Sequence, residues 1–329
     1  MSTRPEASIV VLTYNNLDLT RACLESIFAK TDDPTFEVII VDNASQDGTV
    51  QFLNEFKASH PLVRLILNEQ NEGFAHGNNQ GAGASVGNYL VFLNNDTVVT
   101  RGWLSGLIRY FQDPQVGMVG PVTNASGNET RILVDYTGLE GMDDFANRYQ
   151  GLHSGQAFEI KMLPFQCVAL RRSVFEEIGP LDERFGLGTF EDDDYALRLK
   201  QKGYRILCAE DVFIHHWGSA SFSQLPRLEY FSLFSENWTR FEQKWNIKWY
   251  PPTFRQEFIP EQLRQYLYDV LRLSFDVAGK DKEIEALQAE LTALKNSHSW
   301  KLIQRLWKIR LFLIPEGSWQ ERLLLKKRK

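Results

Sequence analysis

The run Tyr89-Leu-Val-Phe-Leu-Asn-Asn-Asp96 restricts this chain more than any other stretch, because an unbroken apolar segment ends abruptly on two amides and a carboxylate. A run of that kind, preceded by the small-residue segment from Gly81 to Gly87, reads as a strand buried on both faces, as in the centre of a parallel sheet. In an open α/β sheet, ligands collect at the carboxyl ends of the strands, so Asn94, Asn95 and Asp96 are expected to face a crevice from a rigid support. Asn and Asp are also ordinary turn formers, and alone the stretch fits a turn as well as a site.

Its surroundings repeat the arrangement. Ala7 to Thr13 is a β-branched run, followed by Tyr14-Asn15-Asn16 and by Leu19, Cys23 and Ile27 on one helical face. Phe36 to Asp42 leads through Asn43, Ser45 and Asp47-Gly48-Thr49 into a second helical face at Val50, Leu53 and Phe56. Val63 to Leu67 leads through Asn71-Glu72-Gly73-Phe74 into a helix of small residues. Strand and helix alternating in this way predict a parallel sheet with right-handed crossovers. Asp47 and Thr49 also suit a helix N-cap. Carboxylates and amides at successive strand ends match a nucleobase edge and a ribose hydroxyl. Neither G-x-G-x-x-G nor G-x-x-x-x-G-K-[ST] occurs, so a dinucleotide site or a P-loop is not indicated. A diphosphate here would call for a divalent cation, with Asp96 as its anchor.

Beyond Asp96, the residues Trp103, Leu107, Ile108 and Phe111 mark an amphipathic helix, and Val116 to Gly120 a strand. Pro121 to Gly155 lacks a clear period and reads as irregular, an insertion on the acceptor side. Met162 to Leu170 restores buried structure, and Gly179-Pro180-Leu181-Asp182-Glu183 forms a turn. A second chemical cluster follows at Glu191-Asp192-Asp193-Asp194, opening a helix that closes on Arg198 and Lys200 before Gly203. The macrodipole and a glycine cap account for part of that pattern. Four adjacent carboxylates raise one another's pKa, which suits a general base that takes a proton from an attacking hydroxyl. Tyr204 to Ala209 and Val212 to Ile214 read as short strands, the second ending in His215-His216, a pair placed for a metal or phosphate contact. Alternation along a strand does not say which of the two faces the crevice.

Together these segments resemble an inverting family 2 glycosyltransferase of GT-A fold, with the bacterial rhamnosyltransferase-like members the nearest in character. The resemblance runs from about Ala7 to Phe222 and rests on Val10-Val-Leu-Thr-Tyr-Asn15, Val41-Asp42-Asn43, Asn71-Glu-Gly-Phe-Ala75, Phe92-Leu-Asn-Asn-Asp96, Glu191-Asp192 and His215-His216. It implies an α/β GT-A domain, with a Rossmann-like, mostly parallel central sheet flanked by helices, over residues 1–250. A helical C-terminal extension over 251–329 would follow. It also implies a nucleotide-sugar donor, UDP- or dTDP-linked, a glycan or lipid-linked acceptor in cell-surface polysaccharide synthesis, and Mg²⁺ or Mn²⁺ as cofactor. Thr13, Asn15, Asp42 and Asn43 would line the base and ribose pocket, with Asn71, Gly73, Asn78, Asn94 and Asn95 near the donor. Asp96 would hold the metal, His215 or His216 would complete its site, and Asp192, with Glu191 as rival, would be the general base. The usual metal motif of the fold is Asp-x-Asp, and Asn94 stands at its first position. A sugar-1-phosphate nucleotidyltransferase shares the architecture, but its Gly-rich, Arg- and Lys-bearing opening loop is missing from Ala7 to Asn16. A non-catalytic glycan-binding scaffold would have no use for base, metal and histidine positions together.

Cys23, Cys167 and Cys208 show no C-x-x-C spacing, which fits a reducing, cytoplasmic setting. No apolar run approaches the roughly 18 to 20 residues of a membrane span. From Trp300 to Lys329 nine basic residues face two acidic ones, so the body is more acidic than the overall charge of -6, and nucleic acid is not an expected partner. Ile284, Leu287, Leu291 and Leu294 have the spacing of a short coiled coil. The basic, amphipathic stretch from Trp300 to Ile314 suits either an interfacial helix at the inner face of a membrane or docking on a partner or second subunit. Self-association through residues 260–329 is therefore part of the expectation.

Overall fold

A computed structural model describes residues 4–218, 226–252 and 261–296. The chain forms β1 (Ala7–Thr13), α1 (Leu17–Lys30), β2 (Phe36–Asp42), α2 (Thr49–Ser59), β3 (Val63–Leu67), α3 (Phe74–Ala84) and β4 (Tyr89–Asn94). There follow β5 (Thr97–Val98), α4 (Trp103–Ile108), β6 (Val116–Thr123), α5 (Met142–Leu152), β7 (Ala157–Glu159), β8 (Cys167–Arg171) and α6 (Arg172–Ile178). The last described elements are α7 (Glu191–Gln201), β9 (Arg205–His216), α8 (Arg227–Trp245) and α9 (Glu261–Asn296).

The strands form one mixed sheet in the order β3-β2-β1-β4-β8-β6-β9-β5, with β7 on β9. Its first four strands are parallel, and the order reverses at β1, which lies between β2 and β4. That is a topological switch point, where loops diverge and open a crevice. The register aligns the strand ends: Thr13 pairs with Asp42, and Leu12 with Asn94. Alternate side chains enter opposite cores. Ile9 and Val11 pack with Leu24, Ile27 and Trp103 below the sheet, and Val10 and Phe92 with Phe165, Tyr195 and Phe213 above it.

Four local expectations change. Buried Tyr89–Asn94 is not central to a parallel sheet, because its other neighbour, β8, is antiparallel and begins the second half. The small-residue segment from Gly81, read as a lead-in to the strand, is the last turn of α3 up to Ala84, packed so closely on β1 that a Cβ at Gly81 would meet Val10. The stretch from Pro121 to Gly155 is not wholly irregular. Met142, Phe145 and Ala146 are the buried face of α5, a spacing of three and four hidden by Gly-rich flanks. The two short strands expected after Tyr204 are one strand, β9, whose pairing with β6 shifts register between Pro121 and Val122.

By compactness the chain divides into Met1–Leu271 and Arg272–Lys329. The first unit runs past Pro251-Pro252, and within it the Tyr268 hydroxyl donates to Glu242 at 2.8 Å. The described part of the second is the remainder of α9, a helix of 36 residues. The basic stretch from Trp300 lies outside the described residues, and among those described no helix is long and apolar enough to cross a membrane.

Candidate functional site

A cavity of about 290 Å³ opens at the ends of β1 and β4, lined by polar residues from strand ends and from the start of α7. It brings together Asn43, Asn71, Gly73, Asn94, Asn95, Asp96, Glu191, Asp192 and His216 from the sequence expectation. Tyr14, Phe74, Phe165, Gln166 and Leu187 are among the further residues of its wall and were not anticipated. Tyr14 had a signal, since it sits between two residues of the first strand-end motif. Phe74 had one too, as the last residue of Asn71-Glu72-Gly73-Phe74, whereas Phe165, Gln166 and Leu187 come from segments whose sequence carries no sign of ligand contact.

The loop frame explains why several expected ligand residues lie elsewhere. Asp42 is fully buried, and its carboxylate accepts from Thr13 Oγ1 at 2.8 Å, Ser45 Oγ at 2.5 Å and Ser45 N at 2.9 Å. Asn15 donates its backbone N–H to Ser45 Oγ at 2.7 Å and accepts from Gln46 N at 2.8 Å. Asn78 donates to Phe74 O inside α3. Thr13, Asn15 and Asp42 therefore stitch the loops together, Asn78 bonds within its own helix, and none of the four lines this cavity, because these short polar side chains find backbone and hydroxyl partners first. Asp47 caps twice, accepting from Leu17 N at 3.0 Å and from Thr49 N at 3.2 Å. Asn43 bridges to Asn71 Oδ1 and Gly73 O. Gly73 has φ of 87°, and a side chain there would run into the Gly186 carbonyl.

The histidine question is decided by register. β5 pairs Thr97 with His216 and Val98 with His215, and Trp217 N donates to Asp96 O at 3.0 Å, so the end of β9 lies beside Asp96. His216 Nδ1 donates to the Ala125 carbonyl at 2.8 Å, which turns Nε2 toward Asp96 Oδ1 at 3.3 Å. Burial lowers the His216 pKa, yet the neighbouring Asp96 carboxylate holds it above its ordinary value. His215 is corrected: it faces the opposite side, where Nδ1 meets the Tyr136 hydroxyl at 2.6 Å and burial lowers its pKa to about 4. Neighbours in a strand point to opposite faces, and only one could join Asp96.

Asp96 Oδ1 is buried and has no hydrogen bond, because the contact from His216 Nε2 is poorly aligned. A buried carboxylate oxygen without a donor, beside an imidazole whose other nitrogen is fixed by a carbonyl, is a donor set that fits a divalent cation. Among the described residues no group of three or more His, Cys, Asp and Glu could hold a metal. The remaining ligands would have to come from amides such as Asn94, from water or from a bound diphosphate.

The four carboxylates of α7 diverge with helical phase. Glu191 and Asp192 line the cavity. Asp193 accepts from Trp249 Nε1 at 3.1 Å. Asp194, fully buried, accepts from Arg198 Nε at 3.1 Å and Trp245 Nε1 at 2.9 Å, and Lys244 contacts it as well. Desolvation raises the Asp192 pKa to about 6. Desolvation, then the charge of Asp192, pushes Glu191 well above the ordinary range, and Glu191 Oε2 has no hydrogen-bond partner. A carboxyl with a raised folded-state pKa contributes stability below its unfolded pKa and loses it as pH rises through the folded value. Glu191→Gln removes that loss. The melting temperatures of variant and parent are expected to coincide near pH 4 and to separate above pH 6, with the variant higher. A gap that does not widen with pH would show that burial of this carboxyl is not the cause.

The topology and the site define a GT-A fold, the architecture of glycosyltransferases. The chain belongs to the family described as Glycosyl transferase family 2, whose profile matches residues 8–179. It is similar to the O-antigen biosynthesis protein RfbC of Myxococcus xanthus, 33% identical over 227 residues, 66% of this chain and 18% of that protein. It is also similar to the glycosyltransferase AglE of Haloferax volcanii, 26% identical over 65% of this chain and 68% of that one. Among solved structures, a mannosyltransferase from Pyrobaculum calidifontis in complex with GDP-Man and Mn²⁺ shares the fold. Its TM-score is 0.54 at 20% identity, over 92% of this chain and 83% of that chain. The chain spans only 25% of the length of another curated bacterial relative and 18% of RfbC.

Proposed function

We propose that the chain is an inverting glycosyltransferase that takes a sugar from a nucleoside diphosphate, UDP- or dTDP-linked, to a hydroxyl of a glycan or lipid-linked acceptor in cell-surface polysaccharide synthesis. The observation that carries the reading is the convergence of Asp96, His216, Asn94, Glu191 and Asp192 on one cavity at the strand ends. Similarity to an O-antigen biosynthesis protein supports the polysaccharide setting.

In this reading the acceptor oxygen attacks the anomeric carbon from the face opposite the diphosphate, the carbon–oxygen bond to the diphosphate breaks, and the Asp192 carboxylate takes the hydroxyl proton. Glu191, deeper and held neutral by burial, orients the acceptor. Asp96 and His216, with the Asn94 amide, would hold Mg²⁺ or Mn²⁺. When bound, the cation offsets the charge of the departing diphosphate as a Lewis acid. Asn43, Asn71 and Gly73 border the donor, and Asp42 with Thr13 and Asn15 keeps their loops in place.

A thermal-shift series with UDP-, dTDP- and GDP-sugars tests donor and metal together, because ligand binding to the folded state raises the melting temperature by mass action. One nucleotide is expected to stabilise the protein in Mn²⁺ and to lose most of that effect in chelator. No shift with any of the three would count against a nucleotide-sugar donor. Release of free sugar from the donor would separate a transferase from a silent scaffold of the same fold.

A further inference from the structure

Apolar residues recur along α9 at alternating spacings of three and four: Val270, Leu273, Val277, Ile284, Leu287, Leu291 and Leu294, with Lys280 at the intervening place. In heptad terms Val270, Val277, Ile284 and Leu291 fall at position a, and Leu273, Lys280, Leu287 and Leu294 at position d. The helix is unbroken over 36 residues. Val270, Leu273, Val277, Ile284 and Leu287 are between 46% and 63% exposed. Isolated helices owe most of their stability to an apolar face that is covered, so a seam of this length in water implies a partner.

We propose that α9 pairs with α9 of a second copy of this chain as a parallel, in-register, two-stranded coiled coil. β-branched residues at a with leucine at d favour two parallel strands, and three of the four a residues here are Val or Ile. Flanking charge chooses the direction. Position g holds Asp276, Glu283 and Glu290, and an antiparallel pair sets g against g, acid against acid throughout. The parallel pair sets g against e of the following heptad in the other copy, so Glu290 meets Lys295 and Glu283 meets Gln288, with one like-charge contact between Asp276 and Asp281. Lys280, at d, faces Lys280 of the other copy, a second like-charge contact that lowers the stability of the pair.

Sedimentation equilibrium of the full chain across a concentration series is the test. The parent is expected at twice the chain mass, and the double variant Leu273→Glu/Leu287→Glu at single mass with part of its helical signal lost as the seam is uncovered and the melting temperature of the remaining fold unchanged, since both replaced side chains are exposed. A parent that stays at single mass, or a double variant that stays at twice the mass, overturns the pairing. Direction is read from Leu287→Cys under oxidation. An in-register parallel pair links copy to copy at this d position, while the native cysteines, all buried, do not compete. A dimer that fails to cross-link overturns the parallel arrangement.

Discussion

Asp192→Asn is expected to leave donor-induced thermal stabilisation intact and to lower kcat by about a hundredfold or more, the usual contribution of a positioned base. The amide keeps the shape of the side chain and its acceptor oxygen, so the hydrogen bond from Asp193 N, 2.9 Å long in the parent, can persist. What it cannot do is carry away the proton of the acceptor hydroxyl. The parent gives a second handle. With its pKa raised to about 6 by burial, Asp192 is deprotonated above that value, and kcat/KM is expected to climb with pH through about 6 and then level. In the variant that limb disappears. Should Glu191→Gln abolish the limb while Asp192→Asn retains it, the base is Glu191. A full loss of donor stabilisation in Asp192→Asn would instead mean that this carboxylate holds the donor.

Much of this site could be read from the chain because the strand ends carry their chemistry in short contiguous words. Asn94-Asn95-Asp96 and Glu191-Asp192 announce themselves by type and by position after an apolar run or at a helix start. Orientation was not legible at that level. Whether Asp42 meets a ligand or its own loop depends on Thr13 and Ser45 reaching it first, and whether His215 or His216 meets Asp96 depends on the register of β5 on β9. The run of four acids is a similar case. On paper it is one feature, but in space the helix assigns two carboxylates to the cavity, one to Trp249 and one to Arg198, Lys244 and Trp245. The antiparallel insertion of β8 between β4 and β6 was also beyond reach, because a long-range pairing leaves no local mark on a short buried strand.

Asp96→Ala is expected to remove the metal-dependent part of donor binding, a loss of about a hundredfold or more if the carboxylate is a direct ligand. The structure separates this outcome from unfolding. Asp96 is buried, one of its oxygens has no hydrogen bond, and among the described residues its one ion-pair partner is the poorly aligned His216. Removing such a carboxylate relieves desolvation, and His216, no longer held above its ordinary pKa by Asp96, becomes neutral near pH 7. The variant without donor or metal is therefore expected to melt no lower than the parent, while Mn²⁺ and donor together no longer shift it. His216→Ala is expected to weaken the same response in part, because Asp96 and the diphosphate would remain as ligands. Equal donor stabilisation of the parent in Mn²⁺ and in chelator would remove the cation from the mechanism. It would leave Asp96 as a buried charge kept for some other contact in the cavity. With a carboxylate only at Asp96 and an amide at Asn94, the site carries one negative charge fewer than Asp-x-Asp. The affinity for Mn²⁺ alone is thus expected to be weak until the diphosphate supplies the missing oxygens.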